Sequence, residues 1–371
     1  MLKLSTKSRA TTLSVALAGT LALSACGASN ESDSGNAAGA AEDQLSGTLV
    51  GAGSSAQQAA MQAWAAQYNS LQPDVTVNYD PVGSGGGREQ FVAGGTDFAG
   101  TDAYLDEEEL AAAQQQCAGD GEIVELVNYI APIGVVYNLP GVDELNLSPE
   151  TLARIFSQQI TNWNDPAIAA DNPGTTLPDL PITPVNRSDE SGTTENFVEY
   201  LAAVAPDVWT YEVSGDWPVP GGEAAQGTSG VVNAVGAGEG AIGYADPSQA
   251  GDLGLANIGV GGEYVAPTPE AAAAVVDNSQ QVEGRGEYDF ALDIRRDTTE
   301  SGNYPIVQVS YLVGCLTYDS QETADLAKDF MSFVVSEEGQ QAAAEAAGSA
   351  PISDALREQS LSAIEAISGA E

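Results

Sequence analysis

Three short segments combine glycines and hydroxyls in an order suited to holding an anion: Gly51-Ala52-Gly53-Ser54-Ser55-Ala56, Gly83-Ser84-Gly85-Gly86-Gly87 and Asp189-Glu190-Ser191-Gly192-Thr193. Each runs into a helical pattern. The first backbone N–H groups of a helix have no partners within it, and the macrodipole puts partial positive charge there, so each turn is a candidate oxyanion site. The hydroxyls of Ser55, Ser84, Ser191 and Thr193 add directional donors. One such turn alone is more often an ordinary cap or tight turn; three in one chain point to a ligand. Arg187 offers a planar fork for bidentate contact with an oxyanion, and Asp189 stands where it can orient that fork, unless the two form a local surface pair. Asp102, in Thr96-Asp97-Phe98-Ala99-Gly100-Thr101-Asp102, suits an anion that still carries a proton. Near neutral pH phosphate has an O–H to donate to a carboxylate and sulfate has none. A site built for that donor can reject the analogue lacking it by roughly 10⁴ to 10⁵. The plainer reading of Asp102 is a helix cap or a solvated acid.

Composition narrows the chemistry. The 371 residues hold 11 Lys and Arg, 53 Asp and Glu and no histidine, for a formal charge of −42. Without imidazole, Ser-His-Asp, Cys-His and His-ligated zinc chemistry are excluded. Nucleic-acid binding is disfavoured too, because it needs clustered cations. An acidic chain can still bind an anion, since short hydrogen bonds from fixed amides and hydroxyls dominate in a dry cleft, and distant carboxylates are screened beyond about 8 Å. A secreted phosphatase using Ser55, Ser84 or Ser191 is the weaker alternative, because no base or metal cluster is at hand to activate the serine. Nothing in the sequence asks for a cofactor or a metal.

The elements that would position these residues read as an α/β protein. Ser46 to Gly51 is a strand pattern, Ala60, Trp64, Tyr68 and Leu71 recur at helical spacing, and Val75, Val77 and Tyr79 alternate as a second strand. Ile123 to Tyr137 and Tyr304 to Tyr318 are long apolar stretches, each carrying a proline, and are the candidate crossings between two lobes. Lobe I is then 46–130 plus 305–371, and lobe II is 131–304. Ahead of them, residues 1–25 have the charged start and short apolar run of a secretory leader. Leu23-Ser24-Ala25-Cys26 resembles the bacterial lipobox, which implies cleavage before Cys26 and lipidation of its thiol. Residues 26–45 read as a flexible tether. Cys117 and Cys315 are either a disulfide, closing a loop of about two hundred residues worth roughly 5 kcal/mol at most, or two buried thiols.

In these motifs the chain resembles the high-affinity phosphate-binding proteins of the phosphate-specific ABC transporter. The likeness runs in order through Gly51 to Ala56, Val82 to Gly87, Thr96 to Asp102, Ile160-Thr161-Asn162-Trp163-Asn164-Asp165, Arg187 to Thr194 and Gly240-Ala241-Ile242-Gly243-Tyr244. It implies a two-lobed, type II periplasmic-binding-protein-like fold with mixed sheets flanked by helices and two interdomain crossings. It also implies a phosphate-contacting set of Ser55, the amide of Ala56, Ser84, Asp102, Arg187, Ser191, Gly192 and Thr193, with Ser54 beside it. The implied protein is no enzyme: it is held at the extracytoplasmic face by lipidated Cys26 and delivers phosphate to a permease with a cytoplasmic ATPase. A receptor for sulfate, molybdate or a phosphorylated metabolite is the alternative. Two departures stand out. Ala56 replaces the larger Phe or Leu of some relatives, and Glu190 replaces a small residue before Ser191, adding a negative charge near the cleft.

Overall fold

The computed structural model describes residues 44–370, so the leader, Cys26 and nearly all of the tether lie outside the described residues. Among the described residues two five-stranded sheets organise two cores. The first sheet has the spatial order Val75–Asp80, Gly47–Gly53, Phe98–Thr101, Val307–Cys315, Ile123–Pro132. Its first three strands are parallel, and Val307–Cys315 runs antiparallel to both of its neighbours. The strand–helix–strand pattern produces this arrangement. The helix Gln58–Leu71 connects the two parallel strands and buries Ala60, Met61, Trp64 and Tyr68, while Leu71 ends it in solvent. The second sheet has the order Gly254–Leu255, Gly134–Tyr137, Ala241–Ala245, Thr183–Arg187, Glu223–Ala225 and is likewise mixed.

The chain leaves the first sheet for the second at Pro132 to Gly134 and comes back at Tyr304 to Val307. These passages lie side by side: Ile133 N–H donates to Ile306 C=O at 2.7 Å, and the Tyr304 hydroxyl donates to Ile133 C=O at 2.8 Å. One stretch departs from the lobe boundaries expected from sequence. The helix Pro269–Val276 places Ala271 in the second core but Ala272, Val275 and Val276 in the first, where Phe290, Leu292 and Ile294 follow. Its Ala/Val composition is apolar around most of its circumference, so it can face both cores at once. Cys117 and Cys315 are joined in a disulfide, 198 residues apart.

Caps locate several helices. Asp106 and Glu109 form a reciprocal capping box at Glu107–Gln116, so the acid-rich helix starts there and not at Asp102. Thr268 with Pro269, and Ser148 with Pro149, begin two others by the preference of proline for the first helical position.

Candidate functional site

The site lies where strands of both sheets end and helices begin, the usual place for a ligand in an open α/β sheet. Ser54 and Ser55 follow the strand Gly47–Gly53, and Asp102 follows Phe98–Thr101. Ser84 opens the helix Ser84–Val92. From the other lobe, Arg187 ends the strand Thr183–Arg187, and Ser191 caps the helix Gly192–Val204, whose first residues are Gly192 and Thr193.

Asp102 is the centre of the arrangement, with 2 % of its surface exposed. Its Oδ2 accepts from Ser54 Oγ at 2.7 Å, Thr193 Oγ1 at 3.1 Å and Ser84 Oγ at 3.4 Å. Its Oδ1 accepts from Ser310 Oγ at 2.8 Å. Burial raises the Asp102 pKa above the ordinary carboxylate value, and Ser54, Ser310, Thr193 and Arg187 pull it back down. The Arg187 guanidinium is almost wholly buried and grips Asp189 with two hydrogen bonds, Nε to Oδ1 at 2.9 Å being one. Burial would raise the pKa of Asp189, but its bonds to Arg187 and to the amide of Gly227 hold it below the usual carboxylate value. The guanidinium edge lies beside Gly83, at the start of the Ser84 helix.

The remaining predicted residues sit around this centre. The amide of Ala56 donates to Ser54 Oγ at 3.1 Å. Ser55 Oγ is turned across the cleft to Thr228, accepting from its amide at 3.0 Å and lying 3.2 Å from its hydroxyl. Ser191 Oγ accepts from the Thr194 amide at 3.3 Å as the helix cap. Gly192 packs so tightly on the other lobe that a Cβ there would lie 2.7 Å from Ala103 N and 2.8 Å from Asp102 C.

Sequence reasoning passed over several participants. Ser310 and Gln308 come from the returning strand, Thr228 opens the helix Gly227–Ala237, and Asn196 donates to Asp102 C=O at 2.6 Å. Gln249 donates across the cleft to the carbonyls of Ser55 and Ala56 at 2.9 and 3.1 Å. Two further basic residues are buried near the cleft. Arg88 is buried at the lobe boundary, where it reaches Glu190 at 2.9 Å, and Arg296 is buried against Asn196 and the carbonyl of Val307. The charge of Glu190 is therefore met by a partner. Outside the Asp102 cluster the cleft widens to a cavity of about 910 Å³ lined by Arg88, Glu109, Glu190 and Glu195 among others.

These contacts can hold a small oxyanion by hydroxyls, helix N-termini and one braced guanidinium, with a buried carboxylate to receive a proton. A family model described as a PBP superfamily domain matches residues 38–338. Phosphate-binding protein PstS3 of Mycobacterium bovis is 37% identical over 335 residues, covering 86% of this chain and 89% of that protein. Phosphate-binding protein PstS 2 of Mycobacterium tuberculosis is 34% identical over 367 residues, covering 96% and 98%. The fold resembles that of a high-affinity periplasmic phosphate-binding protein, PfluDING, at a TM-score of 0.68 and 21% identity over 84% of this chain and 92% of that one. It also resembles a phosphate-binding protein from Stenotrophomonas maltophilia at a TM-score of 0.66 and 19% identity over 85% and 94%. With likeness spanning nearly its whole length and the same plan of mixed sheets about a cleft, the chain belongs to the PBP superfamily and, within it, to the PstS family.

Proposed function

We propose that the chain binds inorganic phosphate between its lobes and hands it to an ABC permease for import, without turnover. The observation that carries this reading is Asp102: a fully buried carboxylate at the meeting point of hydroxyls from both lobes is costly to ionise and is useful where the ligand brings its own proton. Arg187, Ser84, Ser191, Gly192, Thr193, Ser55 and the Ala56 amide supply the opposing donors, and Asp189 braces Arg187. Sulfate or molybdate would confront only lone pairs at Asp102, which disfavours the other-oxyanion alternative.

The lipid anchor belongs to the same proposal. Cleavage before Cys26 and acylation of its thiol would tether the domain at the extracytoplasmic face, beside a permease. The basic start, apolar run and Leu23-Ser24-Ala25-Cys26 support this. Among the described residues no helix is long and apolar enough to cross a membrane.

Calorimetric titration tests the reading. Phosphate should bind at one site with sulfate silent, and Asp102→Asn should weaken phosphate or admit sulfate. Equal binding of the two anions by the unaltered protein would overturn it. Mass spectrometry of the membrane-extracted protein, with Cys26→Ala as control, tests the anchor.

A further inference from the structure

Asp102 holds four side-chain hydroxyls, and they divide by the body that carries them. Ser54, Ser84 and Ser310 belong to the first lobe with Asp102 itself, whereas Thr193 comes from the opposite lobe. Ser84 and Thr193 stand at helix N-termini facing the cleft, where a ligand would claim them. Ser54 and Ser310 are fixed differently. Ser54 Oγ is wholly buried, spends its proton on Oδ2, and accepts from the Ala56 and Gln57 amides at 3.1 and 3.4 Å. Ser310 Oγ, also wholly buried, donates to Oδ1 at 2.8 Å and among the described residues is the side chain bonded to that oxygen. It sits where the antiparallel ladder of Val307–Cys315 with Ile123–Pro132 slips register, with Asn128 as the extra residue. Bulges of this kind re-aim side chains next to sites. Ser310 thus bonds the carboxylate oxygen that Ser54 does not, from the strand that also forms the passage between lobes.

We propose that Ser310 on one carboxylate oxygen and Ser54 on the other are the positioning pair that keeps Asp102 an ionised, oriented acceptor, and so sets the preference for a tetrahedral anion that still carries a proton. This rests on the reading of Asp102 given under the proposed function. Hydroxyls can stabilise the carboxylate without adding a positive charge that would attract any anion, deprotonated ones included. Because both serines travel with Asp102, the acceptor is set before the lobes meet.

Other titratable or charged groups face the same carboxylate. Arg187 comes from the second lobe, Tyr79 from Val75–Asp80, Tyr129 from Ile123–Pro132, and Asp246 follows Ala241–Ala245. The tyrosines stay neutral in the working range. Asp246, raised to about 6 by burial, titrates close by, so Asp246→Asn serves as the background control.

The test measures inorganic phosphate and sulfate binding by the full-length protein from pH 5 to 8.5. Ionisation of phosphate itself is common to all variants and cancels in ratios to the unaltered protein. Loss of one hydrogen bond to a charged group should move the acid-side midpoint of phosphate binding upward by about one pH unit in Ser310→Ala, roughly tenfold in affinity below it. Sulfate binding should rise in the same acid range, since a protonated Asp102 can donate. Ser54→Ala should shift the midpoint in the same direction and provides a second, independent variant. If Asp102→Asn weakens phosphate while Ser310→Ala and Ser54→Ala keep the unaltered midpoint, the positioning role is wrong and the reading of Asp102 stands. If Asp102→Asn binds phosphate as the unaltered protein does, both fall.

Discussion

Arg88 and Glu190 meet across the cleft, guanidinium nitrogen to carboxylate oxygen at 2.9 Å. Arg88 is anchored on its own lobe through Glu109 at 2.7 Å and Thr101 Oγ1 at 2.8 Å, which leaves one edge of the guanidinium for the second lobe. Gly85 makes room, since a Cβ there would land on the Glu190 carboxylate. The pair forms only when the lobes are together, so it favours the closed state. Arg88 is buried but the Glu190 side chain is 33 % exposed, so about 1 kcal/mol is the appropriate scale. Glu190→Gln and Arg88→Met are each expected to raise the phosphate dissociation rate about fivefold with little change in association. Stopped-flow measurement of an unchanged dissociation rate would remove the pair from the closure mechanism.

Gly192 is expected to tolerate no side chain in the closed state. Its Cβ would press on backbone, at 2.7 Å from Ala103 N and 2.8 Å from Asp102 C, and backbone at a strand end cannot swing aside as a flexible side chain can. The helix Gly192–Val204 would instead be pushed back, carrying Thr193 away from Asp102. Gly192→Ala should retain its fold and unfolding midpoint yet lose phosphate affinity by about a hundredfold, the scale of a misplaced binding group. Small-angle scattering should report a more open particle in excess phosphate. A compact Gly192→Ala particle that binds normally would contradict the close packing.

What the sequence made legible was local. Glycine and serine at helix starts announced Ser55, Ser84, Ser191 and Thr193 because capping and turn chemistry are written in neighbouring residues. Ser310 and Thr228 were hidden because they reach Asp102 and Ser55 only through topology, over separations of 208 and 173 residues. Ser310 did leave a trace. Gln308 and Ser310 are polar residues two apart in an otherwise apolar strand, which places both on one face. The mixed packing of Pro269–Val276 left none, since alanine and valine on every side do not say which core they join.

Stability should fall as pH rises from about 4.5 towards 7, and Glu195 is a principal cause. It sits in the first turn of the helix Gly192–Val204, and its pKa is raised to about 7 by burial, partly offset by Arg88 and reinforced by Glu190, Glu199 and Glu109. A carboxyl raised above its unfolded value favours the native state while protonated; that contribution is complete below about 4.5 and disappears as pH passes through the folded value. The residue keeps some solvent contact, so the effect is discounted to about 1–2 kcal/mol. Glu195→Gln, neutral at every pH, should unfold about 2–4 °C higher than the unaltered protein at pH 8 and match it near pH 4.5. Identical melting curves at both pH values would show that Glu195 does not titrate as described.

The disulfide should govern stability and leave recognition alone. Cys117 lies at the end of the helix Glu107–Gln116 and Cys315 at the end of Val307–Cys315, five residues and roughly 17 Å along the strand from Ser310. Their bond closes a loop of 198 residues, for which the loss of chain entropy in the unfolded state amounts to about 5 kcal/mol as an upper figure. Both cysteines are largely buried in the first core, so serine at either position adds the cost of a buried hydroxyl, and Cys117→Ala with Cys315→Ala is the cleaner pair. That double variant should unfold at markedly lower denaturant concentration while its phosphate affinity at 25 °C stays within about twofold, since the bonds around Asp102 do not involve it. Reductant should lower the stability of the unaltered protein to the same level and leave the double variant unmoved. If affinity falls together with stability at temperatures where the variant is fully folded, the returning strand transmits strain from Cys315 to Ser310, and the separation of scaffold from site argued for this strand fails.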